Sequence, residues 1–128
     1  MSLEELWPPQ VGEPLPRAGE TFGVRRKLAK YSLDLAHEIG GPKALGFKRI
    51  LGITLEHIDY LEGAIHTGVL LVPVSSVREN RPYGIKCMVM VPVRGLGKKS
   101  GRIVNVRTIW ELLDSDTPPR LANAYLRP

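Results

Sequence analysis

Five side chains in this sequence have the types needed to move protons and stabilise negative charge without a metal: His37, Lys43, Arg107, Thr108 and Tyr125. Such a set suits cleavage of RNA by its own 2′-hydroxyl. That reaction needs a base to take the hydroxyl proton, cations to stabilise charge building on the phosphate, and an acid to protonate the leaving 5′-oxygen. His, Lys, Arg and Tyr can divide those roles, and an aromatic ring such as Trp110 can hold a splayed base by stacking. Each residue also has a plain structural reading. His37 can cap the C-terminal end of a helix, where a cation is favoured. Lys43 can be a solvated side chain at a helix start, Trp110 can be core, and Tyr125 can be either. Strict alternation puts Arg107 and Thr108 on opposite faces of a strand, so both reach one cleft only if a bulge intervenes. His57 and His66 read as structural or surface residues of a helix.

A polyanion is the partner that the charge distribution favours. From Arg81 to Arg107 the chain carries seven cations (Arg81, Lys86, Arg94, Lys98, Lys99, Arg102 and Arg107) and no acid. Lys27 and Lys30 belong to a second basic cluster with Arg25 and Arg26, read as a solvated helix face or as phosphate contacts. The net charge of +5 points to an acidic partner, most simply nucleic acid. Lys27, Lys30, Lys86, Arg94, Lys98, Lys99, Arg102 and Trp110 are the candidate RNA-binding set.

Other chemistries lack their residues. There is no phosphate-binding P-loop, no nucleophile elbow and no HExxH, and the three histidines stand apart from any carboxylate cluster, so neither a metal nor a cofactor is expected. Cys87 is the single cysteine, which excludes an internal disulfide and a Cys-based zinc site; within its apolar run it reads as a buried, inert thiol. The first residues are unlike a signal peptide, and no apolar run approaches the ~20 residues that span a bilayer. The expectation is a cytoplasmic protein that makes no membrane contact.

These side chains need a scaffold, and 128 residues suffice for one domain with a core. Proline and glycine through residues 1–23 predict an extended arm, with Trp7 available to pin it. Residues 24–128 read as the domain. Val24, Leu28, Tyr31 and Leu35 share one face of a helix ending near His37, before the Gly40-Gly41-Pro42 break. A second helix covers 43–51. A third starts at the Thr54 cap, with Leu55, Ile58, Leu61 and Ile65 inward and Gly68 as its stop. Then the period becomes two. An edge strand over 69–77 is interrupted by Pro73, strands 84–93 and 102–113 form a hairpin around RGLGKKSG, and 120–126 is the last strand. The order implies an α+β domain: about three helices on one face of a roughly four-stranded antiparallel sheet.

Several short motifs recur in one order: Lys27-Leu28…Tyr31…Leu33, His37…Gly40-Gly41…Lys43-Ala44, Leu51-Gly52, Tyr83-Gly84…Lys86, Arg107-Thr108…Trp110 and Pro119-Arg120-Leu121…Ala124-Tyr125. In these the chain resembles a family of small bacterial domains of unassigned function, over about its last hundred residues. Members look like toxin components of bacterial toxin–antitoxin or polymorphic toxin modules. Their layout is similar to the barnase, EndoU, colicin and RelE group of metal-independent ribonucleases. The resemblance implies an endoribonuclease-like toxin neutralised by a small acidic antitoxin or immunity protein. Two features depart from the family pattern: Asn123 stands where a threonine is usual, and the hairpin loop is longer and more basic. Two alternatives use the same basic surface, a nucleic-acid-binding module without catalysis and an antitoxin or immunity protein that meets an acidic partner.

Overall fold

Three helical segments pack against a four-stranded antiparallel sheet in a computed structural model that describes residues 7–79, 82 and 84–126. The first segment is α1 (Val24–Lys27), which runs on into a wider turn over Leu28–Ser32. The second, α2 (Gly41–Gly46), widens in the same way over Phe47–Leu51. A single turn over Leu55–His57 leads into α3 (Ile58–Leu71). The strands β1 (Ser76–Glu79), β2 (Ile85–Arg94), β3 (Ile103–Leu112) and β4 (Arg120–Leu126) then follow in spatial order β1-β2-β3-β4. This is the α+β arrangement expected from the pattern. Arg81 and Tyr83 lie outside the described residues.

Alternation on the strands divides the sheet into two faces. Val89, Val91, Val106, Trp110, Leu112, Leu121 and Ala124 point to the helices and are buried. Leu28, Phe47, Leu51, Leu61, Ile65 and Val69 meet them from the other side. Cys87 belongs to this core, and burial pushes its thiol up to about 12, so at neutral pH it is not a nucleophile.

Two helix ends differ from the pattern reading. The first helix stops at Ser32, well short of His37: Leu33 N–H reaches back to Leu28 O at 2.8 Å and closes a wide turn. That turn swings Leu33 into the core and leaves Leu35 exposed. The third helix passes Gly68 and ends at Leu71, so 69–71 are helical and the edge strand is only Ser76–Glu79. Val69 continues the Leu61–Ile65 spacing into the core, which holds the helix together until the extended backbone at Val72.

From Trp7 onward the arm lies on the domain, and residues 1–6 of it fall outside the described residues. Gly12 N–H bonds Val74 O at 2.8 Å and Val74 N–H bonds Glu13 O at 2.9 Å, while Leu15 is buried and Trp7 packs against the core. At its end Phe22 forms a parallel bridge beside Arg120 of β4. Among the described residues no helix is long and apolar enough to cross a membrane.

Candidate functional site

Both α1 and α2 pack along β4, whereas α3 packs on β2. Lysine and tyrosine side chains from the N-terminal half therefore reach the outer face of the sheet at its β4 edge. A bulge in β4 prepares that face. Thr108 pairs with Ala124 and Ile109 with Asn123, but Trp110 pairs with Leu121, leaving Ala122 as the extra residue. Without it, Asn123 and Tyr125 would share the buried side of Leu121. With it they turn outward, and Tyr125 stands opposite Arg107.

Lys43 is the centre of the resulting cluster. Its Nζ donates to Tyr31 Oη at 3.0 Å and to Asn123 Oδ1 at 3.3 Å. It also sits over two rings, 4.7 Å from the Tyr31 centroid and 5.0 Å from that of Tyr125. From the far side Arg107 Nη1 donates to Tyr125 Oη at 3.1 Å, with the guanidinium 5.6 Å from the ring centroid. Arg107 Nε is buried without a hydrogen-bond partner among the described residues. Lys27 approaches the outer side of the Tyr31 ring at 5.4 Å. Cation–π contacts of this kind fix the cations without discharging them.

His37 closes the cluster against Tyr31, edge to ring at 4.9 Å. Its Nδ1 accepts from the backbone N–H of Ile39 at 3.1 Å and of Gly40 at 2.9 Å. A nitrogen accepting two N–H groups carries no proton, so a neutral His37 has its hydrogen on Nε2 and acts there as a donor. Gly40 is required for this turn, because a Cβ there would collide with the carbonyl oxygen of Tyr31. His37 is not a helix cap, since α1 and its wide turn end five residues earlier at Ser32.

Thus His37, Lys43, Arg107 and Tyr125 come together. Thr108 and Trp110 do not. Thr108 is fully buried on the opposite face, its hydroxyl donating to Val89 O at 2.7 Å and accepting from Trp110 Nε1 at 2.8 Å. The bulge is in β4, so β3 keeps its alternation and leaves Thr108 away from the cleft. Trp110 is a core residue with no exposed face for a base. Tyr31 and Asn123 are the members that pattern reading assigned elsewhere, to a helix face and to a sequence departure. The Asn123 amide oxygen supplies Lys43 with an acceptor, a contact that appears only once β4 is folded against α2.

Depressions flank the cluster. A groove of about 580 Å³ runs beside Tyr31 and His37, lined also by Phe22, Arg26, Lys27, Lys30 and Arg120. The outer sheet face holds a smaller one of about 420 Å³, bounded by Arg78, Lys86, Ile109, Glu111 and Tyr125. Lys27, Lys30 and Lys86 thus border the site. Arg25 points away, and its guanidinium is raised by its hydrogen bonds to Asp59 at 2.6 Å and Glu62 at 3.1 Å. Arg94, Lys98, Lys99 and Arg102 lie at the hairpin turn, where Arg94 donates to Ser100 O and Arg102 to Ile50 O. Among the described residues no group of three or more His, Cys, Asp or Glu converges to hold a metal.

The chain belongs to the family described as a domain of unknown function, DUF6883, whose model matches residues 15–128. No curated protein and no solved structure matches it.

Proposed function

We propose that the chain is a metal-independent endoribonuclease-like toxin that cuts RNA by 2′-hydroxyl attack. One observation carries the reading: Lys43 and Arg107, from opposite halves of the chain, converge on Tyr125, with Tyr31 on the other side of Lys43. In the reaction the 2′-oxygen bonds to phosphorus as the P–O5′ bond breaks, leaving a 2′,3′-cyclic phosphate and a 5′-hydroxyl. Lys43 and Arg107 stabilise the charge that grows on the non-bridging oxygens. The hydroxyls of Tyr31 and Tyr125 each accept a bond from a cation and keep their own hydrogen, so either can give that hydrogen to the leaving 5′-oxygen; the 2′-hydroxyl proton is lost to solvent water, which reprotonates the tyrosine once the products leave. His37 serves as a neutral Nε2–H donor to the phosphate. A small acidic antitoxin or immunity protein in the same cytoplasm would silence the site by pairing with these cations.

Purified protein is expected to release fragments ending in 2′,3′-cyclic phosphate, with or without a chelator. Lys43→Ala and Arg107→Ala should each slow cleavage by about 10²–10³-fold, the usual effect of removing one such donor. Intact RNA after incubation with wild type, or cleavage indifferent to both substitutions, would overturn the reading. One observation favours a second reading, a nucleic-acid-binding module without catalysis: His37 Nδ1 is occupied by two backbone N–H groups, which withdraws a histidine base. That module predicts salt-sensitive binding with the RNA recovered whole.

A further inference from the structure

The groove beside Tyr31 has an aromatic rim. Phe22 stands at its edge with 47% of its surface exposed, large for a phenylalanine. Its backbone is nonetheless fixed, since Phe22 N–H bonds Pro119 O and Leu121 N–H bonds Phe22 O, each at 3.1 Å. An exposed ring on a rigid backbone is a stacking platform prepared without further ordering. Arg120 lies beside Phe22, Arg26 and Lys30 line the same groove, and no carboxylate occurs among the described residues that line it. Arg26 and Lys30 have no ion-pair or hydrogen-bond partner among the described residues. Arg120 is held by Glu111 at 2.8 Å, which orients its guanidinium. The acids of α3, Asp59 and Glu62, are meanwhile engaged by Arg25.

We infer that this groove is a subsite for single-stranded RNA next to the scissile phosphate, with one base stacked on Phe22 and the flanking phosphates on Arg26, Lys30 and Arg120. The inference deepens the ribonuclease reading and rests on it for the choice of ligand. An exposed ring recognises the face of an unpaired base, which a duplex keeps stacked on its neighbours; the ligand is therefore a single strand. The groove shares Tyr31 and His37 with the cluster, so a strand leaving the Lys43–Arg107 phosphate passes into it without a break. Its volume of about 580 Å³ lies within the range of pockets that hold small ligands.

The test uses fluorescence anisotropy with a labelled single-stranded 2′-O-methyl RNA, which lacks the nucleophile and is not cut. Phe22→Ala should weaken binding on the order of 5- to 100-fold, the loss typical of one base–aromatic stack. Phe22→Tyr should restore it. Arg26→Ser with Lys30→Ser should lower the slope of log affinity against log salt by about 0.7 per phosphate contact removed. Thermal melting of each variant reports whether the fold is intact. If Phe22→Ala and the double variant bind as wild type while Lys43→Ala weakens binding, the subsite is wrong and the ribonuclease reading stands. If Phe22→Ala weakens binding but wild type never cleaves natural RNA, the subsite stands and the catalytic reading falls. A single strand that binds no better than its duplex overturns the subsite.

Discussion

Arg107 and Thr108 are neighbours in the chain and do opposite work, because a strand sends them to opposite faces. Arg107 reaches Tyr125 at the surface, while Thr108 ties Trp110 Nε1 to Val89 O inside the core. Valine at position 108 would keep the shape and remove the hydroxyl, leaving the indole N–H of Trp110 unpaired in a buried setting. Thr108→Val should cost about 1–3 kcal/mol, read as a lower midpoint in urea, with RNA cleavage per folded molecule unchanged. A variant of full stability that no longer cleaves would return Thr108 to the site. Residue types alone pointed to His37, Lys43, Arg107, Thr108 and Tyr125, because few other side chains can do metal-free proton transfer, and of these the fold turns Thr108 inward. They did not point to Tyr31, since its place on an apolar helix face explained it already. The tautomer of His37 was invisible in the sequence, because it depends on a turn that exists only after folding.

At the scale of elements, α3 carries two glycines with opposite meanings. Gly68 faces β2, and a Cβ there would drive into the side chain of Val91; Gly63 is exposed with nothing within 4 Å. Helix propensity favours alanine over glycine by about 1 kcal/mol at either place. Gly63→Ala should therefore raise the melting temperature by a few degrees. At Gly68 the clash wins, because forcing a methyl into a packed core costs about 1–3 kcal/mol, and Gly68→Ala should melt earlier. Equal shifts in both variants would contradict the close packing of α3 on β2. The same glycine shows why the sequence misjudged the end of this helix. Near a run of valines and leucines, Gly68 reads as a stop, and only the sheet on the other side reveals that it is a contact. The two hairpin strands were more legible, since apolar, β-branched runs flank the RGLGKKSG turn, whereas the first strand was placed too early. The β4 bulge was not, because a single extra residue leaves composition untouched while it reverses which side chains face outward.

Across the whole molecule, positive charge is spread over two separate regions, and distance decides what each contributes. At the hairpin end Arg94 pairs with Ile103. Ile103 lies four positions before Arg107, about 13 Å at roughly 3.3 Å per residue, and Lys98 and Lys99 lie farther out. The screening length is about 8 Å at 0.15 M salt and about 30 Å at 0.01 M. If the proposed function holds, the tip would act on RNA near the cluster only when salt is low, as a guide that raises the encounter rate. On the same reading Arg26 and Lys30, in the groove that shares Tyr31 and His37 with the cluster, would act at either salt concentration. Replacing Lys98 and Lys99 by glutamine should slow association with uncleavable RNA several-fold at about 0.01 M salt and leave it unchanged near 0.15 M. Stopped-flow fluorescence across a salt series measures this directly, with Arg26→Ser/Lys30→Ser as the contrast that weakens binding throughout. If the tip variant instead lost affinity equally at both salt concentrations, Lys98 and Lys99 would be in direct contact with the bound strand, and the RNA path would run along the hairpin instead of along α1.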